Sequence, residues 1–250
     1  HSHGFSTMSF RTAFLVYLTF ATTNAVIPDY IKVCKRNDPD LTGCIKNSIE
    51  LLRPKFVQGI PELDIPAIEP LHMPELIFSR GGAFKAMAND IVVRGASNFV
   101  ITDLDVDVDN IVYKASLHFP MISFDAMYEV DAKILAMPLK GRGPVQANAT
   151  DIDGEAVIRG HKETQNGRTF VMFDELTLKL KMQNYHIRLE NLFNGDKSLG
   201  EAINLALNDN KKELMNLFRP HAEEMAASVL LERANQVTKH FDYDELFPIE

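Results

Sequence analysis

From residue 77 to residue 189 apolar side chains recur at every second position, and a long helical pattern follows. That sequence of periods allows few folds. Ile111, Tyr113, Ala115, Leu117 and Phe119 alternate with Val112, Lys114, Ser116 and His118. Ile122, Phe124, Ala126, Tyr128 and Val130 alternate with Ser123, Asp125, Met127 and Glu129. Leu176, Leu178, Leu180 and Met182 alternate with Thr177, Lys179 and Lys181. Successive side chains of a strand point to opposite faces, so each run predicts a strand with one buried and one wet face. Turn signals separate the runs: Gly81-Gly82, Gly95, Pro120, the Gly-Arg-Gly-Pro of 141–144, Asp153-Gly154 and Asn166-Gly167. No crossover helix interrupts the series. The expectation is an antiparallel meander of roughly eight to ten strands.

Residues 198–240 return to helical spacing. Leu199, Ala202, Ile203, Leu205, Ala206 and Leu207 surround the first turns, which predicts a buried helix. Leu214, Leu217, Phe218, Met225, Val229 and Val237 extend the pattern, and Pro220 is expected to kink or interrupt it. A second helical pattern follows Cys44, with Ile45, Ile49, Leu52 and Phe56 on one face. Thr42-Gly43 is read as its N-cap, and Pro54 as bending or ending it. Proline-rich residues 59–74 are expected to be extended. One long apolar helix beneath a one-faced meander requires a strongly curved sheet wrapped around it, because a flat sheet would leave the helix exposed. The fold class is α+β.

The first 25 residues read as leader and secretory signal peptide. Met8 is a natural start, Arg11 supplies the positive charge, 13–20 is an apolar run of eight, and Ala25 is a small residue for cleavage. The run is far shorter than the ~20 residues of a membrane span. Residues 26–250 are then one extracellular domain. In an oxidising compartment Cys34 and Cys44 read as a disulfide, worth about 2–3 kcal/mol by chain entropy. Two cysteines without nearby histidines cannot complete a zinc site. Asn148-Ala149-Thr150 becomes a glycosylation sequon. With 26 Lys+Arg against 34 Asp+Glu, the chain lacks the basic character that nucleic acid or anionic lipid would demand.

Several short motifs together carry a family resemblance. They are the early pair Cys34 and Cys44; Gly59, Pro61 and Leu63 followed by 68–71; Phe119-Pro120 and Tyr128; and Lys133-Ile134 with Pro138, Gly141 and Gly143. Further along come 191–197, Leu199-Gly200, Asn204, Leu207-Asn208 and the C-terminal 244–248. In this order the chain resembles the takeout and juvenile-hormone-binding protein family of secreted insect proteins. Without cysteines after Cys44 it is similar to the takeout branch, which has only the N-terminal disulfide. The resemblance implies an α-wrap fold, related to tubular lipid-binding domains, with an internal tunnel for an elongated apolar ligand.

Catalytic signatures are missing from the sequence. It contains no Gly-x-Ser-x-Gly elbow, no Gly-rich phosphate loop and no His-Glu-x-x-His. A secreted hydrolase is the weaker rival. The serine in 195–200 reads as a Ser198 N-cap with Glu201 three residues on. His72, His118, His161, His186, His221 and His240 lack ligand spacing and read as surface residues. Asp103, Asp105, Asp107 and Asp109 suggest calcium, but Val108 and Lys114 occupy positions where an EF-hand needs Gly and an acid. They read instead as the solvated face of a strand. No metal and no cofactor are expected.

The expected function is a secreted, monomeric carrier of a terpenoid, fatty acid or similar lipid, acting by sequestration and transport rather than as an enzyme. The alternative is a signalling or interaction protein whose lipid-filled core is recognised by a receptor. Sixteen Phe and ten Met supply walls for such a tunnel. The expected lining is Phe84, Phe99, Tyr113, Leu117, Phe119, Phe124, Tyr128 and Met137 from the first half of the sheet. Phe173, Leu178, Leu180, Met182, Leu207, Met215, Phe218 and Met225 complete it. Tyr113 and Tyr128 are the candidates for orienting a polar end, being apolar along the ring and polar at the tip.

Overall fold

The computed structural model describes residues 27–73, 75–81, 84–134 and 137–249; the leader and signal-peptide reading lies outside them. Among the described residues the sheet has seven strands, all paired antiparallel, in the order β1-β3-β5-β6-β7, with β2 beside β3 and β4 beside β5. Its strands are β1 (Leu71–Met73), β2 (Leu76–Gly81), β3 (Phe84–Arg94), β4 (Val100–Asp107), β5 (Val112–Ile134), β6 (Met137–Gln165) and β7 (Arg168–Leu189). The count is below the expected eight to ten because three strands run 22–29 residues through several of the turn signals.

Those turn signals fail for a local reason. Pro120 lies in β5 between the end of the β4 pairing at His118 and the start of the β3 pairing at Ser123. Pro138 and Pro144 lie in β6 beyond its last pair with β7, Val145 with Leu189. Each proline thus occupies a stretch where a neighbouring strand has stopped, and its missing N–H costs no ladder bond there. Asp153-Gly154 is also inside β6. Two signals behave as read: Gly95, with φ 88°, lies between β3 and β4, and Asn166-Gly167, with φ values of 52° and 79°, makes the two-residue turn joining β6 to β7.

At one level the three long strands exchange faces together. Pairing passes from Phe119–Ile152 to Met121–Thr150 and from Ile152–Met182 to Thr150–Asn184 without a change of register. It steps over Pro120 and over Asp151, whose φ is 52°. Below this rung His118 and Asp153 meet on the outer face at 2.9 Å, with Lys179 and Lys181 also exposed. Above it the outer residues are Ser123, Asp125, Gln146, His186 and Arg188, the opposite parity. The two sequence phases, Tyr113 to Phe119 and Ile122 to Val130, are therefore one continuous strand.

The helices are α1 (Leu41–Gln58), α2 (Lys197–Asp209), α3 (Lys211–Thr238) and the short α4 (Tyr243–Leu246). α1 is capped by Asp40, whose side chain accepts from the Gly43 N–H, rather than by Thr42-Gly43, and it continues past Pro54 to Gln58. The Cys34–Cys44 disulfide ties its first turn to the preceding segment. α2 is capped by Asp196, which accepts from the Leu199 N–H, not by Ser198. The helical run breaks at Asn210, while α3 passes through Pro220 unbroken. At 28 residues α3 is about 42 Å long. α2 is not buried all round: Leu199 and Leu205 are exposed, and the buried side is Asn204 and Leu207.

The helices hold the free edge of β7 with side-chain amides. Asn204 Oδ1 accepts from the Leu189 N–H at 2.8 Å and its Nδ2 donates to the Leu189 carbonyl at 2.9 Å. Asn208 does the same to Ile187, at 2.9 and 2.7 Å, and Asn235 to Phe173, at 2.8 and 2.9 Å. Glu223 accepts from the Leu180 N–H at 2.8 Å. Each carboxamide presents a donor and an acceptor, as a neighbouring strand would, so these points of the edge are met without another strand. The result is the α-wrap arrangement, a curved antiparallel sheet with the long C-terminal helix bonded along its last strand.

Candidate functional site

Inward-facing apolar residues gather into three clusters. The largest joins β3, β5, β6 and β7 to the α2–α3 junction through Ala88, Tyr128, Val130, Leu139, Leu189, Leu207 and Leu214. The second packs Ile60, Leu63 and Ile65 against Phe241 near the end of α3. The third centres on Ile111, Val171 and Tyr243. Between them, Leu117, Phe119, Leu180 and Met182 fall outside all three and are only half-buried. Gly154 faces the same space: a Cβ there would lie 3.5–3.9 Å from Leu180, Phe119 and Leu117.

The expected lining residues divide accordingly. Phe124, Phe218 and Met225 pack against the first cluster, with Phe218 edge-on to Phe78 at 4.8 Å. Tyr128 and Leu207 are fully buried within it, and Leu178 is fully buried lower on β7. Phe99 approaches Phe119 at 6.3 Å, beneath the Arg53 guanidinium at 3.9 Å. Tyr113 and Phe173 meet edge-on at 5.8 Å beside the third cluster. Met215 is half-buried next to Leu214 on α3. The side chains of Phe84 and Met137 lie outside the described set. Ile101 on β4 and Ile152 on β6, paired with Leu117 and with Phe119 and Met182, are further buried apolar residues that periodicity had not singled out. The alternation around Ile152 is visible in the sequence once Pro120 and Asp151 are recognised as mid-strand positions.

The tyrosines separate by hydrogen bonding. Tyr128 donates to the Glu190 carbonyl at 2.6 Å, so its hydroxyl is not free to orient anything else. Tyr185 donates to the Leu207 carbonyl at 3.2 Å, Tyr243 to the Val108 carbonyl at 3.1 Å and Tyr30 to Glu62 at 2.6 Å. Among the described residues Tyr113 is the tyrosine without a hydrogen bond. Burial pushes its phenol well above the ordinary value, with the nearby Tyr243 and Asp107 adding to the effect. Its hydroxyl is nevertheless not sealed; Arg233 Nε is the described polar atom both sealed and unpartnered.

The described residues contain no cluster of three or more His, Cys, Asp or Glu able to hold a metal ion. Asp103 and Asp105 are exposed on edge strand β4, and Lys114 meets Asp105 at 2.7 Å. Asp107 accepts from Asn110, which holds its carboxyl below the usual range. Two of the six histidines are not plain surface residues. His221 packs edge-on against Phe78 at 5.0 Å, and half-buried His240 sits 3.2 Å from the Leu63 carbonyl. No described helix is long and apolar enough to cross a membrane.

Comparison with known proteins agrees with this architecture. The chain is 24% identical over 234 residues to the circadian clock-controlled protein daywake of Drosophila melanogaster, covering 89% of each. It is 22% identical over 221 residues to a Schistocerca gregaria protein named as a candidate beta-carotene binder, covering 87% of this chain and 88% of that one. The crystal structure of Epiphyas postvittana Takeout 1 superposes with a TM-score of 0.76 at 21% identity, over 87% of this chain and all of the other. The model of the haemolymph juvenile hormone binding protein family matches residues 13–248, and the chain belongs to that family.

Proposed function

We propose that this chain is a secreted carrier that holds an elongated hydrophobic molecule between the curved sheet and α3, and that it works by sequestration and transport. One observation carries the reading. Leu117, Phe119, Leu180 and Met182 face inward between three separate clusters and remain only half-buried, whereas a close-packed interior would cover them. A ligand with ~350 Å² of apolar surface gains about 9 kcal/mol at 25 cal/mol per Å². Ordering and association offset several kcal/mol of that, so this area alone leaves about 5–6 kcal/mol, a Kd on the order of 100 μM, and tighter binding requires a longer apolar ligand or a satisfied polar end. Family membership and the carotenoid in one relative's name support a long apolar ligand. Tyr113 is the group to meet its polar end, since its hydroxyl is the described phenol without a partner.

Native mass spectrometry of protein recovered from its own tissue, followed by displacement with a long-chain fluorescent probe, tests the reading. An apolar ligand that the probe displaces is the expected result. A lipid that no probe displaces would instead favour a receptor-read protein with a permanently filled core. Neither bound lipid nor probe binding would overturn both.

A further inference from the structure

The outer face of the sheet, opposite the proposed lumen, holds an open depression of about 410 Å³ in which Phe124 and Ala147 accompany six polar residues. Ser123, Asn148 and His186 pair across β5, β6 and β7 on one rung, and Asp125, Gln146 and Arg188 on the next outward rung. Three of these six side chains are engaged. Asp125 is paired with Arg94 and accepts from Gln146 Nε2 at 3.3 Å, and Arg188 meets Glu201 at 2.7 Å. Asn148 is exposed and its carboxamide makes no hydrogen bond, and the neighbouring His186 ring has none either. Asn148 is also the first residue of Asn148-Ala149-Thr150. The triplet marks the acceptor asparagine in the sequence, and the fold leaves that amide exposed and unengaged in an open depression, with room for the modification.

We propose that Asn148 carries an N-linked oligosaccharide whose first N-acetylglucosamine lies in this depression. In the transfer, the Asn148 amide nitrogen bonds to C1 of a dolichyl-diphosphate-linked oligosaccharide. The C1–O bond to diphosphate breaks, dolichyl diphosphate leaves, and the amide proton is lost. The hydroxyls and acetamide of the bound sugar meet donors on Gln146, His186 and Arg188 and acceptors on Ser123 and Asp125, which suits a polar ring rather than an apolar chain. The inference rests on the secretion half of the proposed function and is independent of what fills the lumen.

The test uses the full chain, with its own leader, secreted from insect cells. Peptide mapping of the medium protein is expected to find hexose- and N-acetylhexosamine-bearing peptide at Asn148, converted to aspartate by peptide N-glycosidase A. Thr150→Ala should abolish the modification and Thr150→Ser should keep it. Diethyl pyrocarbonate should modify His186 at least fivefold more slowly in the glycosylated protein than in Thr150→Ala, if the sugar lies over the ring. Wild-type medium protein with Asn148 unmodified overturns the proposal. Modified Asn148 with equal His186 rates overturns the placement of the sugar. Loss of lumen-probe binding with intact glycosylation would count against the carrier reading alone.

Discussion

Tyr128 combines core packing with a polar commitment: its ring lies in the largest cluster, and its hydroxyl is 2.6 Å from the Glu190 carbonyl. Burial pushes the phenol up to about 12, against about 10 in an unfolded chain. Because the folded value is the higher one, the stabilising contribution is complete below pH 10 and is lost as pH rises toward 12. Absorbance titration at 295 nm should therefore show a class of tyrosines ionising near 12, Tyr30 and Tyr185 with it, and Tyr128→Phe should remove one of them. The same variant should lose about 1 kcal/mol in urea unfolding, the net worth of one hydrogen bond. His161 is also shifted upward, first by its hydrogen bond to Asp174 and then by that carboxylate's charge. Its contribution is present below the ordinary histidine value and disappears as pH rises through the raised one. NMR titration should find the His161 pKa falling back in Asp174→Asn.

At the scale of elements, the β7 edge depends on a few carboxamides. Asn204→Ala leaves the Leu189 N–H and carbonyl unpaired in a buried place, which should cost about 2 kcal/mol and raise amide exchange at Leu189. Asn204→Asp keeps an acceptor but loses the donor and buries a charge, so it should be no milder. Removing the disulfide with Cys34→Ser and Cys44→Ser should cost about 3 kcal/mol by loop entropy, read as a lower denaturation midpoint. Much of this level was legible in the sequence: both helical regions, the strand faces and the Asn166-Gly167 hairpin follow from period and turn chemistry. Three things were not. Proline and glycine in β5 and β6 look like turns because a single chain does not reveal where its neighbour ends. The caps at Asp40 and Asp196 each stand two residues from an equally plausible hydroxyl, Thr42 and Ser198. Asn204 and Asn208, spaced by four on an apolar helix, signal a shared polar face but not the strand edge that face meets. At the site, inward parity was readable, but core and lumen wall share one alternation, and the Tyr128 acceptor lies 62 residues away.

For the molecule as a whole, apolar walls imply selection by size. Discrimination should be about 1–3 kcal/mol per methylene, so a series of fatty acids, alcohols and methyl esters should rank by length before headgroup. Leu180→Trp, adding bulk beside Gly154, should shorten the longest ligand accepted with little change in stability. Leu207→Trp, in a fully buried position, should mainly destabilise by about 1–3 kcal/mol through overpacking. If one headgroup outcompetes the others a thousandfold at equal length, a dedicated pocket replaces the broad carrier. The common rung at which β5, β6 and β7 exchange faces adds a constraint of a different kind. Two parities coexist in one strand only because Pro120 and Asp151 are stepped over on both sides of a pair. Deleting one codon near Met121 would turn residues 122–134 inside out, bringing Ser123, Asp125 and Glu129 inward and sending Phe124, Ala126 and Tyr128 to water. A compensating deletion would be needed in each partner strand. Descendants of this gene can therefore vary the lengths of their hairpin tips, while β5, β6 and β7 are inherited with their residue counts locked together across that rung.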